Sequence, residues 1–73
     1  MDIFEIRLRE LRKQEKLTQK ELAIKLKTTD DSIYSWEKGR SQPEIEQIRN
    51  ICKIFNVSAN YLLGLKNEFD ELN

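Results

Sequence analysis

The residue types in this chain decide first which chemistry is open to it. It holds 73 residues with no histidine and a single cysteine, Cys52. From this set no nucleophile–base pair and no metal cluster can be assembled, so an enzyme is the least favoured class. One cysteine without histidine leaves no zinc site and no internal disulfide, and no cofactor or small-molecule ligand is expected. What remains is recognition chemistry. Two acids stand side by side at Asp30 and Asp31, with Tyr34 and Ser35 one turn further on and Lys38 and Arg40 beyond them. Carboxylates, a phenol, hydroxyls and bases hydrogen-bond and carry charge without needing a cofactor.

Thirteen Lys and Arg balance thirteen Asp and Glu, but unevenly along the chain. Residues 1–27 carry a net +3, residues 28–43 a net −1 and residues 44–73 a net −2. A nucleic-acid binder usually shows a basic footprint, and here that footprint is local. The longest uninterrupted apolar run is three residues, as in Tyr61-Leu62-Leu63, whereas a membrane-spanning helix needs about 20. The start of the chain has neither the basic segment nor the apolar stretch of a signal peptide. A cytoplasmic protein without a membrane segment is expected.

The elements that must position these side chains are helical throughout. Gly39, Pro43 and Gly64 punctuate a chain with no alternating run long enough for a strand. Helix 1 is expected over about 3–15, with Phe4, Leu8 and Leu11 in one stripe and Ile6 facing out. Thr18-Gln19-Lys20-Glu21 reads as a capping box opening helix 2, with Leu17 as a hydrophobic staple and Leu22, Ala23 and Leu26 on the buried side. Thr29 is expected to cap helix 3, with Asp30 and Asp31 in its first turn and Ile33 and Trp36 facing inward. Gly39 ends it. Pro43 sets up helix 4, about 44–55, with Ile45, Ile48, Ile51, Cys52 and Phe55 on the core stripe; Asn56 ends it in the left-handed conformation. Ser58 caps a short helix 5 closed by Gly64. The phase of Trp36 makes it a core residue rather than a base-stacking one. Cys52 reads as a small apolar core residue, and the bases of helix 1 as a solvated face.

Segments 18–26 and 30–38, joined by three residues, form a helix-turn-helix candidate. Leu17-Thr18-Gln19-Lys20-Glu21-Leu22-Ala23, then Ile33, then Trp36-Glu37-Lys38-Gly39-Arg40 and Pro43, resemble the phage Cro/repressor-type helix-turn-helix family, also called the XRE family. Phe55-Asn56-Val57-Ser58-Ala59-Asn60-Tyr61-Leu62-Leu63-Gly64 looks like the closing segment of that family. The resemblance implies an all-α, compact five-helix domain of the lambda-repressor-like type over residues 1–64, with 65–73 as a short tail or final turn. It also implies that helix 3 lies in the major groove while helix 2 crosses the backbone. Carried over by position, base-edge contacts fall on Asp30, Asp31, Tyr34 and Ser35. Phosphate contacts fall on Gln19, Thr29, Lys38, Arg40 and Ser41. The family pairs the residues at Arg12 and Glu37 in a partly buried ion pair that joins helix 1 to the end of helix 3.

Two positions depart from the family pattern. Lys27 stands where Gly is frequent, and a left-handed Lys costs on the order of 1 kcal/mol. Asp30 and Asp31 replace neutral or basic residues; a carboxylate there is repelled by phosphates unless it accepts from a cytosine amine. The resulting expectation is a sequence-specific double-stranded DNA-binding regulator, a repressor of prokaryotic or phage type. It is expected to act as a homodimer on a two-fold symmetric operator through Asn56, Val57, Ala59 and Leu62, extended by Leu65, Phe69 and Leu72. The alternative is a protein-interaction module of the same fold, favoured by zero net charge and the Asp pair. The matched Gln19, Lys38, Arg40 and capped helix starts favour DNA.

Overall fold

In the computed structural model, which describes residues 2–65, five helices succeed one another: α1 Ile3–Gln14, α2 Gln19–Leu26, α3 Asp30–Glu37, α4 Ile45–Phe55 and α5 Ala59–Leu62. No strand occurs among the described residues. The starts of α2, α3 and α5 are set by side chains. Thr18 Oγ1 accepts the Glu21 amide at 3.0 Å while Glu21 Oε1 accepts the Thr18 amide at 2.8 Å, completing the capping box. Thr29 accepts from the Ser32 amide and Ser58 from the Tyr61 amide, each satisfying a donor the helix itself cannot.

The helix ends share one solution. Lys16, Lys27, Gly39, Asn56 and Gly64 all have φ between 55° and 77°. In each case the next residue's amide returns to a carbonyl five residues back, as in Leu17 to Arg12 at 3.1 Å and Arg40 to Ser35 at 2.9 Å. Glycine and asparagine take this conformation at little cost; the two lysines do not. The departure at Lys27 is therefore real backbone strain, and Lys16 adds a second instance that the sequence pattern did not signal.

α2 packs chiefly on α3, α1 on α3 and α5, and α4 on α5 and α2. Their shared core holds Phe4, Leu8, Leu11, Leu22, Ala23, Leu26, Ile33, Trp36 and Ile51, all on the expected stripes, together with Leu62. Arg7 adds a polar lock between α1 and α5. Its guanidinium lies 4.1 Å from the Tyr61 ring centroid and donates to the Tyr61 carbonyl.

Two expectations fail. Ile45 is 71% exposed rather than in the core. Burial fades along the α4 stripe from Ile51 through half-buried Ile48, so the first turn of α4 runs past the surface on which the helix packs. Leu62 is fully buried among the core residues, which removes it from any surface available to a second copy. Cys52 is half-buried against the core, and burial pushes its thiol pKa up, which keeps it a poor nucleophile.

Candidate nucleic-acid interface

The aim of α3 is set by one buried carboxylate. Glu37, at the last turn of α3, is 7% exposed. Arg12 of α1 meets it in a forked pair, Nε to Oε2 at 2.7 Å and Nη2 to Oε1 at 3.0 Å. The remaining Arg12 arm, Nη1, donates to the Leu17 carbonyl at 2.9 Å. Gln19 Nε2, from the first turn of α2, donates to Glu37 Oε1 at 3.1 Å. The node therefore joins α1, the turn before α2, the start of α2 and the end of α3. Such planar, charge-assisted contacts restrict orientation as well as distance. The ion pair implied by the resemblance is present, and it is a four-part network.

The network alters the role expected for Gln19. One Nε2 proton is held by Glu37, so the donors left for a phosphate are the second Nε2 proton and the Gln19 backbone amide. That amide, with the one at Lys20, sits in the first turn of α2, where no acceptor exists within the helix. Arg9, Arg12, Gln19, Tyr34, Glu37 and Lys38 line an open groove beside it with a volume of about 220 Å³.

The residues expected at base edges divide into two groups. Asp30 and Asp31 are exposed in the first turn of α3, next to the Thr29 cap, where a negative charge suits the helix dipole. Tyr34 and Ser35 lie a turn later and are engaged with the residues expected on phosphates. Lys38 and Arg40 flank the Tyr34 ring, and Ser35 Oγ lies 2.8 Å from Ser41 Oγ. The hydroxyl of Thr29 accepts the Ser32 amide and shares a 3.0 Å contact with Ser32 Oγ, which leaves it exposed at the helix start. Sequence reasoning found the ion pair but not the Gln19 arm or the bond from Ser35 to Ser41, because both depend on rotamers and not on spacing.

Comparison with known proteins bears on this geometry. A family model described as a helix-turn-helix domain matches residues 6–68. The HTH-type transcriptional regulator ImmR of Bacillus subtilis is 36% identical over 72 residues, covering 92% of this chain and 57% of the relative. An uncharacterized HTH-type transcriptional regulator of the same organism, YqaE, is 40% identical over 67 residues, covering 90% and 58%. This chain thus spans less than two thirds of the length of these relatives. Among solved structures, the P22 c2 repressor in complex with a synthetic operator superposes with a TM-score of 0.80 at 27% identity, covering 86% of this chain and 96% of that one. A LexA repressor from Eubacterium rectale shares the fold, with a TM-score of 0.80 at 22% identity.

Proposed function

The chain belongs to this helix-turn-helix domain family, and on that premise we propose that it binds double-stranded DNA sequence-specifically as a transcriptional repressor. In this reading α3 enters the major groove and α2 lies across the backbone. The first-turn amides of α2, with Gln19, Thr29, Lys38, Arg40 and Ser41, hold phosphates and set the register. Asp30 and Asp31 face base edges, where a carboxylate accepts from the N4 amine of cytosine, with Tyr34 and Ser35 on the same helix. The observation that carries the reading is the Arg12–Glu37–Gln19 node, which holds the starts of α2 and the end of α3 in one rigid relation. A buried ion pair is seldom the more stable choice over apolar residues, and this one restricts the orientation of α3 relative to α2. The P22 c2 repressor, in complex with a synthetic operator, has the same fold over most of both chains. No enzymatic activity belongs to the proposal. No helix among the described residues is long and apolar enough to cross a membrane; a cytoplasmic site of action is part of the proposal.

A homodimer on a two-fold operator completes the reading, since one α3 offers few base contacts. Exposed Asn56 and Ala59, half-buried Val57 and exposed Leu65 form the surface for it; Phe69 and Leu72 lie outside the described residues. The second reading, a protein-interaction module, draws on the exposed Asp pair at the tip of α3. Selection of bound sequences from random duplex DNA, followed by titration of the winner at several salt concentrations, separates the two. A two-fold enriched motif with salt-dependent affinity supports the regulator; no enrichment at low salt shifts the reading to the interaction module.

A further inference from the structure

The ring of Tyr34 carries two cations. Lys38 Nζ lies 5.6 Å and Arg40 Cζ 5.5 Å from its centroid. They arrive by different routes. Lys38 follows Tyr34 by four residues, the spacing that stacks side chains on one helical face. Arg40 reaches it only because Gly39, at φ 74°, reverses the chain and lets the Arg40 amide close on the Ser35 carbonyl at 2.9 Å. The contact between Ser35 Oγ and Ser41 Oγ, at 2.8 Å, ties down the residue that follows. Both cations lie within the roughly 6 Å over which the negative face of an aromatic ring attracts a positive charge. A cation held over a ring keeps its N–H donors available at its edge, where a phosphate oxygen can accept them.

From this arrangement we infer that Tyr34 is a positioning residue rather than a reader of bases. Its ring sets Lys38 and Arg40 as one clamp for the DNA backbone, and sequence readout is left to the Asp30–Asp31 end of α3. The inference rests on the DNA-binding reading. It changes what Tyr34 does within that reading: the ring matters, and the hydroxyl does not.

The test compares the wild-type chain with Tyr34→Phe, Tyr34→Leu, the pair Lys38→Ala/Arg40→Ala, and that pair combined with Tyr34→Leu. Each is titrated against the selected duplex and a scrambled one at several salt concentrations. Tyr34 is 40% exposed and outside the core, so thermal melts of the Tyr34 variants should stay close to wild type. Tyr34→Phe keeps the ring and is expected to bind within about twofold of wild type, with unchanged base preference. Tyr34→Leu is expected to weaken binding by about 5- to 30-fold per half-site on both duplexes. The slope of log affinity against log salt should become shallower by up to about 1 for each cation that leaves its phosphate. In the Lys38→Ala/Arg40→Ala background, Tyr34→Leu should add less than about twofold, because no cation remains to be held. A shift of base preference at one position in Tyr34→Phe, or a loss in Tyr34→Leu that simply adds to that of the cation pair, overturns the inference while leaving the DNA reading intact. Failure of the wild-type chain to bind any duplex overturns the DNA reading itself, and this inference with it.

Discussion

Removing either side of the Arg12–Glu37 pair should unfold much of the margin on which this domain stands, and the two sides should not be equal. The Glu37 side chain is 4% exposed and that of Arg12 is 11% exposed. After Arg12→Ala, a nearly dry carboxylate keeps only the neutral Gln19 amide at 3.1 Å as a described partner. After Glu37→Ala, the guanidinium keeps the Leu17 carbonyl at 2.9 Å and somewhat more access to water. Breaking a buried pair typically costs about 3–5 kcal/mol. Arg12→Ala therefore belongs toward the upper end of that range and Glu37→Ala toward the lower. For a domain of this size each 1 kcal/mol lowers the melting temperature by about 4–8 °C, so the smaller effect is about 12 °C or more. Natural domains have only about 5–15 kcal/mol in total. A double replacement with apolar residues of matched volume, Arg12→Met with Glu37→Leu, should recover most of the loss, because no orphaned charge remains. Thermal and urea melts of the two single variants, the double alanine variant and the apolar pair measure all of this. Near-silent single variants, with losses that merely add in the double alanine variant, would refute the claim that the pair is buried and coupled.

Three further outcomes are expected. Lys16→Gly and Lys27→Gly each relieve a left-handed non-glycine residue, and should raise stability by up to about 0.5 kcal/mol in urea melts after the entropy of the added glycine is subtracted. Gly39→Ala should be destabilising by about 1–2 kcal/mol, since a Cβ there sits at φ 74°; the Glu5 carboxylate it approaches is the end of a flexible side chain that can swing aside, so adding Glu5→Ala should restore little. Asp30→Asn and Asp31→Asn should each tighten binding to non-specific duplex by removing repulsion from phosphates. The one that reads a base should also relax a preference for cytosine worth about 1–3 kcal/mol at one position per half-site, measured against all four bases there.

The parts of this structure legible in the sequence are those governed by local rules. Thr18 with Glu21 marks a helix start whatever surrounds it, and Gly39 and Gly64 mark helix ends because few other residues accept their backbone angles. Lys16 shows the opposite case. The chain turns there through the same local bond from the next amide, Leu17 to the Arg12 carbonyl, that closes the other helices, on a residue with no leaning toward that conformation. Ile45 and Leu62 failed for a different reason. Periodicity gives the face of a helix but not how far along its length a neighbour extends, nor whether a residue near the last turn is covered. Within the site, the family resemblance pointed to Arg12 and Glu37, while the rotamers linking Gln19 to Glu37, and Tyr34 to two cations, are legible only in three dimensions.

Zero net charge argues less against DNA than it first suggests, because charge acts locally. Screening at physiological salt confines an exposed charge to about 8 Å. Glu37 is neutralised within the protein by Arg12, which takes both out of the field that a ligand would meet. The charges left on α3 and the turn after it are Asp30 and Asp31 at one end and Lys38 and Arg40 at the other. At 1.5 Å of rise per residue, Asp31 and Lys38 stand about 10 Å apart along the axis, just beyond one screening length. The two ends therefore behave as separate surfaces. The acidic end suits the helix dipole and can accept hydrogen bonds, and the basic end, gathered over Tyr34, attracts backbone phosphates. In the proposed reading, with α3 docked by its N-terminal residues, that division puts base edges at one end and phosphates at the other. Spreading the same four charges evenly along α3 would preserve the net charge and lose the fit.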